Sequence, residues 1–208
     1  HFEHASYETR GIMRAINIIK SEHRNLGAVL YSLEKLIDEV DDGKQPEFAL
    51  FHGLLTYIDR FLDHYHHPKE NNFLFPRLLE RAPQCEALIR ELGHQHIEGE
   101  ILFVEMLKAL SAWEFSTQEN YAVFRQAVLR YVEFERKHAL TEERELLPRA
   151  SEALEPEDWE VIDAAFAENE DPMFGDEATN EFCKLFSQLV NRLPAPIGLG
   201  DVWKQAPR

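Results

Sequence analysis

The sequence predicts an all-α protein: an up-down-up-down four-helix bundle with extra helices toward its C-terminus. Three observations carry this. Apolar residues recur in steps of three and four along four long stretches, turn-forming segments separate those stretches, and no stretch alternates with the two-residue period of a strand. In the first stretch Ile12, Ile16, Ile19, His23, Leu26, Leu30, Leu33 and Ile37 form one buried line, and the segment Asp41 to Pro46 ends it. The second places Leu55, Ile58, Leu62 and His66 on a line that Pro68 is expected to disturb, and helical spacing resumes through Phe73, Phe75 and Leu78 as far as Pro83. The third carries Ile89, Leu92, His96, Phe103, Met106 or Leu107, and Leu110, and ends near Trp113. The fourth starts near Thr117 and aligns Tyr121, Phe124, Val128, Tyr131, His138 and Glu142 before Pro148. Residues 1–150 are therefore expected to form the bundle. Residues 151–208 are expected to add a helical extension packed on its outside: a short helix from Pro156 to Phe166, another from Glu177 to Leu193, and an extended Pro/Gly-rich tail.

Composition limits the function. The 208 residues are 44% apolar, enough for a sizeable core, and 22 Lys and Arg against 38 Asp and Glu leave a formal charge of -16. That field opposes phosphate backbones and anionic membrane surfaces, so no nucleic acid and no membrane partner is expected. No apolar run approaches the roughly 20 residues of a membrane-crossing helix, and the start His1-Phe2-Glu3-His4 has no signal-peptide pattern. Cys85 and Cys183 are too few and too scattered for a disulfide framework or a thiolate zinc site, which suits a cytoplasmic protein. There is no phosphate-binding loop or nucleophile elbow.

The chemistry rests on His23, His66, His96 and His138, one on the apolar line of each long stretch. A single histidine on an apolar face is more often a core residue satisfied by one hydrogen bond than a ligand. Here that explanation must hold four times and must also accommodate Glu70 and Glu142, carboxylates that are almost never buried unpaired. A shared cation removes all these costs together. His66 with Glu70, and His138 with Glu142, are four apart on one helix face and can grip the same ion cluster, so more than one ion is expected. Imidazole and carboxylate without thiolate suit iron, manganese or zinc better than calcium or magnesium.

Over about residues 10–150 the chain resembles the hemerythrin-like proteins, with their histidine-histidine-glutamate (HHE) cation-binding domain. The resemblance lies in Ser21-Glu22-His23, His66-x-x-x-Glu70 followed by Phe73-Leu74-Phe75-Pro76, Gln95-His96, and His138-x-x-x-Glu142-Glu143-x-Glu145-Leu146-Leu147-Pro148. It implies a pair of non-haem iron ions sharing an oxo or hydroxo bridge, with His23, His66, His96 and His138 as terminal ligands and Glu70 and Glu142 as bridges. It also implies an open position for a small diatomic ligand or peroxide, as in a protein that acts on or senses dioxygen, peroxide, nitric oxide or iron. The oxygen-carrying members have two histidines four apart on the third helix. Here Glu100 follows His96 by four and His94 precedes it by two, which argues for redox chemistry or sensing over oxygen carriage. Water, Glu100, His67 or His94 could fill the vacancies.

His67 shares a helical face with Asp63, Arg60 and Thr56 and is expected to be exposed, and His52 and His64 look equally ordinary. Glu143 could replace Glu142 if the helix bulges, and Glu135 could accept a hydrogen bond from an imidazole. A ferritin-like di-iron carboxylate site built on Glu91-x-x-His94 and Glu135-x-x-His138 is an alternative, though it leaves His23 and His66 unused. A di-iron oxidoreductase turning over peroxide or nitric oxide is another. A metal-free helical interaction module is a third. The oligomeric state is left open.

Overall fold

The computed structural model describes residues 2–115 and 119–167, with side chains from residue 14 onward except at 63 and 119. The expected helix at Glu177–Leu193 and the tail lie outside the described residues. Helix α1 spans Phe2–Asp41, 40 residues, hence about 60 Å at 1.5 Å per residue. It stops where Gly43 takes φ of 88°. There the Gly43 N–H donates to Val40 O and the Lys44 N–H to Glu39 O, the pair of bonds that satisfies a helix end through a left-handed glycine.

Helix α2 is continuous, and the disturbance expected at Pro68 takes the form of a widened turn just before it. It runs through Phe48–Phe61, a π-helical turn at Leu62–His66, His67–Lys69, a second π-turn at Glu70–Leu74, and Phe75–Arg81. A short 3₁₀ turn at Pro83–Cys85 leads into α3, Glu86–Glu114. Helix α4 comprises Glu119–Thr141, a π-turn at Glu142–Leu146, and Leu147–Ala153, and α5 is Pro156–Ala167. Each π-turn precedes a proline for a steric reason. A proline ring clashes with the carbonyl four residues back, and a turn widened by one residue moves that carbonyl aside. The N–H just before each proline bonds five residues back instead: His67 to Leu62 O, Phe75 to Glu70 O, and Leu147 to Glu142 O.

The four long helices close a square, α1 packing on α2 and α4, and α3 on α2 and α4. The core is split in two. Leu33, Leu54, Phe61, Met106, Phe124 and Tyr131 belong to one apolar cluster, and Ile19, Leu74, Leu78, Leu146, Trp159 and Phe166 to the other. A layer of buried histidines and carboxylates lies between them. Helix α5 packs against α1 and contributes one face to the core. Its Trp159, Ile162 and Phe166 are buried, Asp163 Oδ1 accepts from the Ala15 N–H at 2.8 Å, and Asp158 pairs with Arg81 at 2.7 Å. Trp159→Ala is accordingly expected to lower unfolding free energy by about 3–5 kcal/mol in urea titration, and a loss below about 1 kcal/mol would mean that α5 is not part of the cooperative unit. No helix among the described residues is long and apolar enough to cross a membrane.

Candidate metal centre

The buried layer collects donors from all four long helices. His23, from α1, is 3% exposed; His66 and Glu70, from α2, are 1% and 0%; His96, from α3, is 2%; His138 and Glu142, from α4, are 4% and 0%. These six form two groups with one addition, His67. In one group His23, His66, Glu70 and Glu142 each offer a donor atom, and all four atoms lie within 4.8 Å of one another; in the other, His67, Glu70, His96 and His138 do the same.

The carboxylates join the groups, one oxygen to each. Glu70 Oε1 lies 3.5 Å from His66 Nε2, and Glu70 Oε2 lies 3.4 Å from His96 Nε2. Glu142 Oε2 lies 3.2 Å from His23 Nε2, whereas Glu142 Oε1 lies 3.5 Å from His138 Nε2 and 3.8 Å from His96 Nε2.

His67 departs from expectation. It is 5% exposed, not solvent-facing, and its ring sits 3.9 Å from that of His96. The cause is the π-turn at Leu62–His66. One residue added to a turn shifts all that follows by one position, so consecutive side chains straddle the inward line and both His66 and His67 face the centre. The remaining sites weighed from sequence stay apart. His94, Glu91 and Glu100 are exposed, so the ferritin-like arrangement is not assembled. His52 pairs with Glu114 at 2.7 Å, and His64 is exposed.

A second layer of acceptors sets the tautomers. Glu143 Oε1 accepts from His23 Nδ1 at 3.0 Å, Glu22 Oε2 from His66 Nδ1 at 2.8 Å, Asn71 Oδ1 from His96 Nδ1 at 3.0 Å, and Gln95 Oε1 from His138 Nδ1 at 3.0 Å. With each Nδ1 donating, each Nε2 lone pair is turned toward the centre. Glu143 thus serves behind His23 and does not replace Glu142, although the bulge that would have allowed the exchange is present. Glu135, expected behind an imidazole, is buried instead against Gly99, where an added Cβ would come within 2.8 Å of its Oε1. Gln95 holds the His138 Nδ1 position in its place.

The acceptors follow a pattern invisible in either half alone. His66-x-x-x-Glu70-x-x-x-x-x-Pro76 and His138-x-x-x-Glu142-x-x-x-x-x-Pro148 have one spacing, as have Glu22-His23 and Gln95-His96, and Glu70-Asn71 and Glu142-Glu143. The α1-α2 half therefore repeats as α3-α4. Few positions carry the repeat, so helical periodicity alone does not reveal it.

Electrostatics prepare the site for a cation. Burial opposes protonation of His23, but Glu142 and Glu143 prevail and push it up to about 10. Burial likewise opposes protonation of His96, and Glu142 and Glu70 push it up to about 9. Burial resists ionisation of Glu142, yet His138, His23 and His96 hold it well below the usual carboxylate range. Burial, with the charges of neighbouring histidines, pulls His67 down so that its imidazole is neutral. His23 and His96, pushed that far up, hold protons at neutral pH without an ion, and a cation must displace them. Divalent metal uptake at pH 7 is therefore expected to release protons and to tighten as pH rises toward about 10. Calorimetry in buffers of different ionisation enthalpy checks this, and buffer-independent heats would contradict it.

Glu70 Oε1 and Oε2, Glu142 Oε1 and Oε2, His96 Nε2, His138 Nε2 and both His67 nitrogens are buried without a hydrogen bond. A cation among them offsets that cost, so the donor set fits a metal. Comparison with curated proteins and with solved structures gave no match. The family model for the Hemerythrin HHE cation binding domain matches residues 14–150. With that match over most of its length, and with histidines and glutamates gathered at the centre of a four-helix bundle, the chain belongs to the hemerythrin HHE cation-binding family.

Proposed function

We propose that the chain binds two iron ions and uses them to act on or sense dioxygen, peroxide or nitric oxide. His23 and His66 would hold one ion, His67, His96 and His138 the other, and Glu70 and Glu142 would bridge them. One observation carries the proposal: each carboxylate turns one oxygen to each histidine group, and none of those four oxygens has a hydrogen bond. A pair of iron ions supplies redox chemistry toward small oxidants and nitric oxide; manganese or zinc would fit the same donors.

The chain's own residues do the rest. The apolar clusters on both sides exclude water from the layer. Phe61 stacks on His66 at 5.4 Å and Phe75 on His96 at 5.6 Å, which fixes the rings edge-on to the centre. His67 adds the histidine that the third helix lacks. At roughly six positions per ion, three histidines, two carboxylate oxygens and one shared solvent ligand would fill one ion, while the other would keep one position. An open position would then fall beside His23 and His66. With His67 as that further donor, simple ligand binding would be served as well as redox chemistry or sensing. The open position also keeps a di-iron oxidoreductase as the second reading, since it serves turnover equally well. The cysteine content favours the cytoplasm as its setting.

Anaerobic purification with iron analysis, followed by optical spectra after dioxygen, peroxide and nitric oxide, tests the proposal. Two irons per chain and a spectral change with at least one of the three are expected. A reversible adduct would identify a carrier or sensor, and repeated turnover an enzyme. Fewer than two irons, or spectra blind to all three, would contradict it.

A further inference from the structure

The repeat relating α1-α2 to α3-α4 is broken in one consistent direction. Glu22 corresponds to Gln95, and Glu143 to Asn71. The two carboxylates stand behind His66 and His23, which belong to one donor group, and the two carboxamides stand behind His96 and His138, which belong to the other. Resting on the two-ion reading above, we propose that Glu22 and Glu143 are positioning residues that make the His23 and His66 ion the one of lower reduction potential, oxidised first when the pair loses electrons.

The reason lies in what stands behind each imidazole. An N–H donating to a carboxylate is more polarised than one donating to an amide, which makes the opposite nitrogen a stronger donor. Each carboxylate also adds a negative charge close to its ion, inside a layer where water screens little. Glu22 is 4% exposed, and its second oxygen, Oε1, is buried without a hydrogen bond. Glu143 is more open, its side chain 32% exposed, and Lys20 and Arg24 offset part of its field. The third histidine of the other group, His67, works the opposite way, but as a neutral imidazole replacing neutral water it changes no net charge. The carboxylates therefore decide the order.

The test is spectroelectrochemistry on the iron-loaded full chain, in which one ion goes from ferrous to ferric and its electron passes to the mediator. Wild type is expected to give two separated potentials and a mixed-valence state visible by electron paramagnetic resonance. Glu143→Gln and Glu22→Gln should each raise the lower potential by a tenfold change in the oxidation equilibrium, about 59 mV for one electron, with the upper potential nearly unmoved. Asn71→Asp with Gln95→Glu should lower the upper potential and narrow the gap from the other side. Should Glu22→Gln lose its metal, the half-exposed Glu143→Gln decides alone. Potentials that stay fixed in these variants, or that move together by equal amounts, overturn the inference while the two-iron reading stands. A wild-type chain that takes up fewer than two irons overturns both.

Discussion

Glu142→Gln is expected to empty the centre of both ions. The replacement keeps the shape of the side chain but removes the anion whose two oxygens face opposite histidine groups, 3.2 Å from His23 on one side and 3.5 Å from His138 on the other. Losing a hydrogen-bonded group behind a ligand costs about 10–100-fold in metal affinity. A group that faces both ions directly should cost more, at least about 100-fold at each. Circular dichroism should still report a helical bundle, because Leu146, Leu147 and Ala150 around it remain packed. Metal analysis after dialysis checks the outcome, and a variant that keeps two ions would remove Glu142 from the bridging role.

His67→Ala is the second large effect, and it is most informative beside His94→Ala. Both residues were candidates for the missing fifth histidine. His67 is buried beside His96, whereas His94 is exposed on α3. His67→Ala should take the chain from two tightly held ions toward one, the ion beside His23 and His66 being retained, and His94→Ala should leave uptake as in wild type. Equal behaviour of the two variants would mean that the π-turn has no part in building the centre.

The difference between these two histidines shows how far the sequence could be read. His23, His66, His96 and His138 were legible because an uninterrupted helical period leads up to each. The same period put His67 on the face of Arg60 and Thr56, which is wrong because the turn at Leu62–His66 is widened. The signal for that widening was present: Pro68, Pro76 and Pro148 sit inside otherwise helical patterns, and a helix that continues through a proline either kinks or widens a turn before it. The disturbance expected at Pro68 is present, but its consequence, a register shifted by one residue, is what turns His67 inward. Glu22, Asn71, Gln95 and Glu143 were illegible for another reason. Each acts on an imidazole of a different helix, so its role depends on how helices face one another, and helical period is silent on that.

Glu70 and Glu142, shared between two ions, are the heart of the proposed centre. Anomalous diffraction at the iron edge, from crystals of anaerobically prepared protein, tests this most directly. Two peaks are predicted, about 3.5–4 Å apart as in other paired sites, one beside His23 and His66 and the other beside His67, His96 and His138. A single peak, or two peaks with Glu70 and Glu142 both turned to the same ion, would contradict it.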